Sequence, residues 1–167
     1  MKKRLGRFRL RDDPGQAMTE FAMGVPILLL LLVASAYFAV AFNNELTLTQ
    51  ATTTGAQQLS ISRGDTSDPC ATTVTAVTSA APGLTAANLT YSIAFGIPTT
   101  TTPPGIAYGS PITGTGSGFS CSGDAGDLVS GHTAQVIITY PCNLTFMGIN
   151  FAPSGCTLSA QTAELIQ

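Results

Sequence analysis

Two aspartates and the single histidine are the residues whose side chains could hold a metal. Asp124, Asp127 and His132 lie in a glycine-rich stretch, where the carboxylates could bind calcium and the imidazole could join them on a transition metal. Their spacing does not follow the EF-hand pattern, and a solvated acidic loop is the commoner origin of such a cluster. We therefore expect no metal ion and no cofactor, with calcium in the loop 122–132 as the alternative.

The same histidine is the one candidate for a general base, because the sequence contains no other. Such a base needs a positioned nucleophile, and although serines are plentiful, no Gly-x-Ser-x-Gly motif is present. We expect that the protein is not an enzyme and has no catalytic residue. A secreted hydrolase that relies on His132 is the alternative.

A second candidate site is a lone carboxylate beside an apolar run. Residues 13–22 are DPGQAMTEFA, so Glu20 follows Gly15 by five residues and stands at the edge of the uncharged segment. A carboxylate costs about 2–3 kcal/mol or more toward the centre of a bilayer, whereas at the edge it can reach the interface. Pro14 disfavours helix in the residue before it, and Gly15 tolerates any backbone geometry. We therefore expect extended, accessible backbone at the Gly15–Gln16 bond.

This arrangement resembles the processing site of type IV prepilins, where a membrane peptidase cuts after the glycine and glutamate is the fifth residue of the product. The longer run, in which Glu20-Phe21 precedes Pro26 and a row of leucines, resembles the TadE-type proteins of the tight-adherence (Tad, Flp) pilus system. Gln16 stands where type IVa pilins have phenylalanine, which favours the Tad branch. The specific part of the resemblance covers roughly residues 10–65.

The resemblance implies a minor pseudopilin that acts in Tad pilus biogenesis and in surface adhesion. It implies cleavage between Gly15 and Gln16, and it assigns assembly and register to Glu20, Phe21 and Pro26. The implied partners are a prepilin peptidase, other pilins or pseudopilins, and the inner-membrane assembly proteins of the Tad system. The implied fold is pilin-like, with one long helix against a small antiparallel sheet.

The chemistry of such a cut explains a role for the carboxylate. Cleavage after Gly15 removes all six basic residues of the leader and leaves an α-ammonium at Gln16, where the helix dipole is unfavourable for it. The Glu20 carboxylate of a neighbouring subunit can neutralise this ammonium in a low-dielectric setting and so set the axial register. Pro26 should kink or loosen the helix about one turn before it, and an ordinary transmembrane proline without a role is the alternative.

The apolar run after the motif predicts a single membrane span. Phe21–Phe42 is 22 residues without a charge, and a helix of that length covers roughly 33 Å, against about 30 Å for a hydrocarbon core. Six of the seven basic residues lie between Lys2 and Arg11, which predicts a cytoplasmic N-terminus in the inner membrane and a periplasmic remainder. A signal peptide cut before Tyr37 is the alternative, because residues 34–36 (ASA) fit the cleavage pattern.

Composition limits the partners of the exported part. Charged residues make up 10% of the 167-residue chain, against about 25% in typical soluble domains. Beyond the leader, Arg63 is the only basic residue, so no cationic surface exists to pair with phosphates. We expect inner-membrane lipid as a partner and no nucleic acid.

Cysteine usage agrees with an oxidising compartment. All four cysteines follow the apolar run, without Cys-x-x-Cys spacing and with too few histidines for a zinc module. An even number in an exported domain implies two disulfides, for which three pairings exist. We favour Cys142–Cys156, which closes a 15-residue loop worth about 3 kcal/mol, and Cys70–Cys121, which closes a longer loop worth about 4 kcal/mol.

The fold class we predict is α+β. The helix should continue as a stem, in which Gly55 next to Ala56 would permit close approach of another element, and a small surface residue without such a contact is the alternative. Apolar alternation and turn residues predict the elements that follow. These are a helix at 71–81, strands at 89–95, 133–140 and 157–166, and irregular stretches at 98–105 and 109–131.

The predicted organisation has three parts: a basic cytoplasmic leader (1–15), a transmembrane helix and stem (16–63, with the span at about 21–42), and a periplasmic α+β domain (64–167). A permanently anchored or secreted periplasmic binding module is the alternative function. It would use the threonine- and glycine-rich loops as its contact surface, and it predicts no dependence on Gly15.

Overall fold

A computed structural model of the chain describes residues 14–99, 105–122, 124–142, 145–146, 149–150 and 152–167. The predicted leader therefore lies outside the described residues, apart from its last two positions. The chain divides into two compact units, Met1–Phe38 and Ala39–Gln167.

The first helix, α1, spans Pro14–Ile61. Proline suits the first position of a helix, because its fixed φ is already helical and its missing N–H would have no partner there. In unit 1 the apolar side chains of α1 are exposed; Leu30, for example, is 68% exposed. Among the described residues, one helix is long and apolar enough to cross a membrane, Met18–Ile61. The segment therefore fits a single-pass membrane anchor.

Unit 2 begins with the carboxyl-terminal part of α1, which buries one face. Leu48, Ala51, Ala56 and Leu59 are fully buried at helical spacing. Threonine is a weak helix former, but five threonines of the stem make the same side-chain hydrogen bond to the helix backbone. Each donates its hydroxyl to the backbone carbonyl four residues earlier: Thr47, Thr49, Thr52, Thr53 and Thr54.

The second helix, α2, spans Pro69–Ala80 and packs against α1. The contact is closest at Gly55, where an added Cβ would lie 2.5 Å from Val77 Cγ2 and 3.3 Å from Thr73 Cγ2. The predicted close approach at Gly55 is thus confirmed. The helix starts two residues before the prediction of 71–81, because Asp68 and Pro69 form its cap and first turn.

An antiparallel sheet covers the helices. Its strands are β1 (Thr90–Thr99), β2 (Gly105–Tyr108), β3 (Ile112–Thr115), β4 (Thr133–Pro141) and β7 (Thr157–Leu165). The order is β2-β1-β4-β7, and β3 also pairs with β1. A separate two-stranded pair joins β5 (Thr145–Phe146) to β6 (Ile149–Asn150). Two 3₁₀ helices, Ala86–Asn88 and Asp124–Asp127, complete the described elements.

Alternate residues of the two central strands form the core with both helices. Tyr91 and Ile93 of β1 and Val136 and Ile138 of β4 are fully buried in one cluster that also contains Leu48, Leu59, Val74 and Val77. The period of two places one side of each strand against the helices, as the sequence pattern predicts. The α+β class, with its long apolar helix and small antiparallel sheet, is confirmed.

Two irregular stretches differ from the prediction. The strand that begins near residue 90 continues to Thr99 and pairs with β2, so the predicted loop 98–105 is shorter than expected and its centre lies outside the described residues. The stretch 109–131 is not wholly irregular, because it contains β3 and the second 3₁₀ helix. Its glycines interrupt the alternation of side chains by which a strand is predicted. The short strand β3 is therefore identified only by its pairing with β1.

Candidate processing and assembly segment

The proposed cleavage bond lies in the first turn of α1. Helix begins at Pro14, so both Gly15 and Gln16 have helical backbone. The expectation of extended backbone at this bond is therefore wrong for this conformation. Pro14 suits the first position of the helix, and its steric effect falls on the residue before it.

The first turn is nevertheless the part of a helix that opens at the lowest cost. Its N–H groups, including that of Gln16, have no acceptor four residues earlier within the helix. Gly15 is exposed, and an added Cβ at this position would meet no atom within 4 Å. Access to the bond is unobstructed by the described residues, and exposing it requires only a change of backbone dihedrals in one turn.

Glu20 lies one helical turn after Gln16, on the same face of α1. Helical side chains tilt toward the amino terminus, which directs the Glu20 carboxylate toward the first turn. The neighbouring Phe21 is 71% exposed. The geometry thus places a carboxylate and an exposed ring within about one and a half turns of the proposed new terminus.

Pro26 lies inside α1, which continues through it. Because proline lacks an N–H, the carbonyl of Ala22 loses the partner it would have in a regular helix. In a bilayer such a carbonyl must find a donor on another molecule or through a local adjustment. In a bilayer, the carbonyl of Ala22 would therefore need a donor other than the backbone N–H at position 26.

The four cysteines form the two disulfides that the sequence analysis favours. Cys70–Cys121 joins the start of α2 to the segment before the second 3₁₀ helix, and Cys142–Cys156 joins the end of β4 to the residues before β7. The Cα atoms are 5.4 Å apart in each pair. The second bridge is accompanied by a hydrogen bond from the N–H of Cys142 to the carbonyl of Cys156, 3.0 Å.

Asp68 is a residue that the sequence analysis did not identify. Its Oδ1 accepts the N–H groups of Ala71 and Cys121, both at 3.0 Å, and Ser120 donates its hydroxyl to Oδ2. The carboxylate thus caps α2 and also binds the irregular segment that carries Cys121. An aspartate directly before a proline at a helix start is the sequence signal for the cap, but not for the second contact.

These contacts explain the acidity of Asp68. Burial works to raise the pKa of this carboxyl, but the hydrogen bonds from Ser120 and the N–H groups of Cys121, Ala71 and Cys70 together outweigh it. The pKa of Asp68 therefore lies below its ordinary value of 3.8. The charged form is the one that this arrangement stabilises.

Metal binding has little support in the described part of the chain. The one described group of three potential ligands is Asp68, Cys70 and Cys121, whose ligand atoms lie within 4.8 Å of one another. Both sulfurs are in a disulfide and so are not thiolate ligands. In the loop 122–132, where calcium is the alternative to the expectation of no metal, Asp127 is exposed and His132 is half-buried, whereas the side chain of Asp124 lies outside the described residues.

An open groove of about 430 Å³ runs along the exposed face of α2. Gln58 of α1, Asp68, and the hydroxyls of Thr72, Thr75 and Ser79 contribute to its walls. The groove is shallow and neutral apart from Asp68, whose oxygens already accept hydrogen bonds from Ala71, Cys121 and Ser120. The described residues that line the groove include no convergent set of charged or aromatic groups with which a binding module could hold a ligand.

The comparison with protein families gives one match. The model of the family described as TadE-like protein matches residues 15–57. The matched segment begins at Gly15, includes Glu20 and Pro26, and ends just beyond Gly55, as the resemblance predicts. No curated protein and no solved structure matches the chain.

Proposed function

We propose, from the TadE-like match over residues 15–57, that the chain is a minor pseudopilin that acts in the biogenesis of a Tad pilus and in surface adhesion. The match by itself suggests a function related to the Tad pilus and contacts with other pilus components. The proposed organisation is a cytoplasmic leader (1–15), an inner-membrane anchor and stem (16–63) and a periplasmic domain (64–167). The single observation that carries the proposal is the match, because it begins at the glycine after which the leader would be removed.

In the proposed reaction a prepilin peptidase hydrolyses the Gly15–Gln16 bond. The first helical turn opens, water adds across the amide, and the products are a Gly15 carboxylate and a Gln16 α-ammonium. The N–H groups of this first turn have no acceptor within the helix and Pro14 has no N–H, which supports opening of the turn at the peptidase. The described conformation is then the resting form of the substrate.

In the proposed assembly the new ammonium pairs with Glu20. The ammonium at the start of α1 would face the positive end of the helix dipole, so a nearby carboxylate lowers its free energy. Pairing with Glu20 of a neighbouring subunit sets the axial position of one helix against the next. Phe21 and the carbonyl of Ala22, which Pro26 deprives of its regular helical donor, supply further contacts between helices.

The first experiment determines the N-terminus of the protein from its native membrane by mass spectrometry. A start at Gln16 is the expected result. Gly15→Ala should leave the leader attached, whereas Gly24→Ala serves as the matched control, because an added Cβ at either glycine meets no atom within 4 Å. An intact Met1 in the unmodified protein would contradict processing, and a start at Tyr37 would identify a secreted protein.

The role of Glu20 is tested separately from processing. Glu20→Gln should leave the Gln16 terminus intact and reduce the number of pili on the cell surface. Glu45→Gln, an exposed carboxylate further along α1, is the control and should leave piliation unchanged. Normal piliation in the Glu20→Gln strain would contradict the register role while leaving cleavage untouched.

The proposal assigns the protein a structural rather than an enzymatic role. TadE-like pilus proteins are structural, and the resemblance carries that role to this chain. The two disulfides support an oxidising compartment for unit 2, consistent with a periplasmic domain.

A further inference from the structure

The disulfide Cys70–Cys121 has a carboxylate beside it at the start of α2. A carboxylate oxygen of Asp68 and the two sulfurs lie within 4.8 Å of one another. Cys70 is fully buried and Cys121 is 5% exposed, so little water is available at the sulfurs to screen a nearby charge. Residues 69–123, which include both cysteines, contain no Asp, Glu, Lys or Arg. Asp68 therefore places a negative charge at the edge of an uncharged, buried bridge.

The residues on both sides of the bridge hold the carboxylate in this place. Its Oδ1 accepts the N–H groups of Ala71 and Cys121, both at 3.0 Å, and Ser120 donates its hydroxyl to Oδ2. Ala71 follows Cys70 in the chain and Ser120 precedes Cys121, so Asp68 is tied to both ends of the disulfide. These partners are N–H and hydroxyl groups rather than basic side chains, so they orient the negative charge without neutralising it.

Apart from Asp68, the surroundings of the bridge favour negative charge on sulfur. Cys70 is the second residue of α2, and the amino-terminal end of a helix stabilises a thiolate. The N–H of Cys70 also donates to Sγ of Cys121, 3.1 Å. A reagent that attacks Sγ of Cys70 would therefore displace Cys121 as a leaving group that already has a hydrogen-bond donor.

Thiol–disulfide exchange brings negative charge to these two sulfurs. The thiolate of a small thiol bonds to Sγ of Cys70, the bond between the two Sγ atoms breaks, and Cys121 leaves as a thiolate that takes a proton from water. A second reagent thiolate then attacks the reagent sulfur of the mixed disulfide and releases Cys70. The reagent is oxidised to its own disulfide and the cysteine pair is reduced. Each step moves an anion toward, or forms one beside, the Asp68 carboxylate.

We propose that Asp68 protects Cys70–Cys121 from thiol–disulfide exchange, so that the two disulfides of unit 2 differ in their reactivity toward thiols. The carboxylate repels the incoming thiolate and raises the free energy of the departing one. Cys142 and Cys156 are half-buried, and residues 128–163 contain no Asp or Glu, so the second bridge lacks this protection. The inference requires neither cleavage at Gly15 nor a pilus.

The unmodified protein provides the first test, because both disulfides report within one molecule. Full-length protein in detergent is treated at mildly alkaline pH with three small thiols that differ in charge: cationic cysteamine, neutral 2-mercaptoethanol and anionic 2-mercaptoethanesulfonate. Free cysteines are alkylated at intervals and assigned by mass spectrometry of peptides. Each rate is divided by the concentration of reagent thiolate. The ratio of the cysteamine rate to the sulfonate rate is the charge selectivity of a disulfide.

Cys142–Cys156 should open first with every reagent. The charge selectivity should be about fivefold greater at Cys70–Cys121, because a fixed carboxylate attracts the ammonium of one reagent and repels the sulfonate of the other. Differences in intrinsic nucleophilicity among the reagents cancel, since they affect both disulfides alike.

Asp68→Asn removes the charge but keeps a side chain that can cap α2. Because the carboxylate is only half-buried and partly screened, the substitution should accelerate the opening of Cys70–Cys121 about tenfold. It should also lower the charge selectivity there to that of Cys142–Cys156. Asp65→Asn, which removes the exposed acid of the preceding turn, is the matched control and should leave both quantities unchanged.

The charge selectivity separates the effect of the charge from a loosening of the fold. A looser structure would raise the rates of all three thiols by the same factor, so an Asp68→Asn variant with faster exchange but unchanged selectivity would overturn the proposal. Equal selectivity at the two disulfides of the unmodified protein would overturn it as well, whether or not the variant folds. So would faster opening of Cys70–Cys121 than of Cys142–Cys156 in the unmodified protein.

Discussion

The same helix has opposite surroundings in the two units. In unit 1 the leucines of α1 are exposed, with Leu30 at 68%, whereas Leu48 and Leu59 of the unit 2 part are fully buried. Both stretches are helical, so helix formation does not distinguish them. The difference is that Leu48 and Leu59 pack into the core of their own domain, whereas the described leucines of unit 1 are exposed.

The exposed part of α1 is the part of the chain whose features point to contacts with other molecules. A side chain buried in its own domain can be explained by folding alone. An exposed apolar helix with a carboxylate at its edge can be explained only by another molecule: lipid, a peptidase or a neighbouring subunit. The TadE-like match falls mainly on this exposed stretch and on the stem, and not on the sheet.

The largest effect on unit 2 should come from its longer disulfide. Replacing Cys70 and Cys121 together by serine should lower the free energy of unfolding by about 4 kcal/mol, because the bridge constrains a long loop of the unfolded chain. The control is the matched replacement of Cys142 and Cys156, with an expected loss of about 3 kcal/mol. Urea unfolding followed by circular dichroism measures both losses. Losses near zero in both variants would contradict the stabilising role of the disulfides.

Truncating one leucine in each part of α1 tests whether the two units differ in how much a leucine contributes to stability. Leu48→Ala should destabilise unit 2 by about 3 kcal/mol, because it leaves a cavity in a fully buried site. Leu30→Ala removes the same atoms from an exposed site and should leave the unfolding of unit 2 unchanged. Similar losses in both variants, measured by urea unfolding in detergent, would show that the two stretches are not energetically distinct.

Asp68 provides a smaller effect with a defined pH dependence. Its folded pKa lies below the ordinary 3.8, so its charged form stabilises the fold above that value, and this stabilisation is lost as the pH falls through the folded pKa. Asp68→Asn should cost about 1 kcal/mol at neutral pH, because asparagine can cap α2 but accepts weaker hydrogen bonds. The difference from the unmodified protein should shrink below pH 3.8.

The exposed Asp65 in the preceding turn gives the control for this measurement. Asp65→Asn should change the unfolding free energy by less than Asp68→Asn at every pH. A constant difference between Asp68→Asn and the unmodified protein from neutral to acidic pH would contradict the role of the charge.

Sequence patterns predicted the elements that repeat a simple period. The strands at 133–140 and 157–166 were confirmed almost to the residue, because alternation of side chains is a local property. Strand β3 was missed, since Gly114 breaks its pattern and its pairing with β1 is not local. The second contact of Asp68 could not be predicted either, because it joins residues 53 positions apart.

The aromatic pair in the core is another contact between residues that are distant in sequence. Phe119 stacks on Tyr91 with ring centroids 5.7 Å apart, in the space left by the missing side chain of Gly114. No spacing rule joins these three residues in sequence. Their proximity follows from the pairing of Tyr91 with Gly114 across β1 and β3.

The smallest predicted effect concerns the hydroxyl of Tyr91. Among the described residues this buried oxygen has no hydrogen-bond partner, and burial raises its pKa to about 12. Removing an unpaired buried hydroxyl removes its desolvation cost, so Tyr91→Phe should raise the free energy of unfolding by about 1 kcal/mol. Tyr140→Phe is the control, because the hydroxyl of Tyr140 accepts the N–H of Thr85 at 3.5 Å and its loss should be neutral or slightly destabilising. If Tyr91→Phe instead destabilises the domain in urea unfolding, the hydroxyl has a partner, such as a buried water, that the fold depends on.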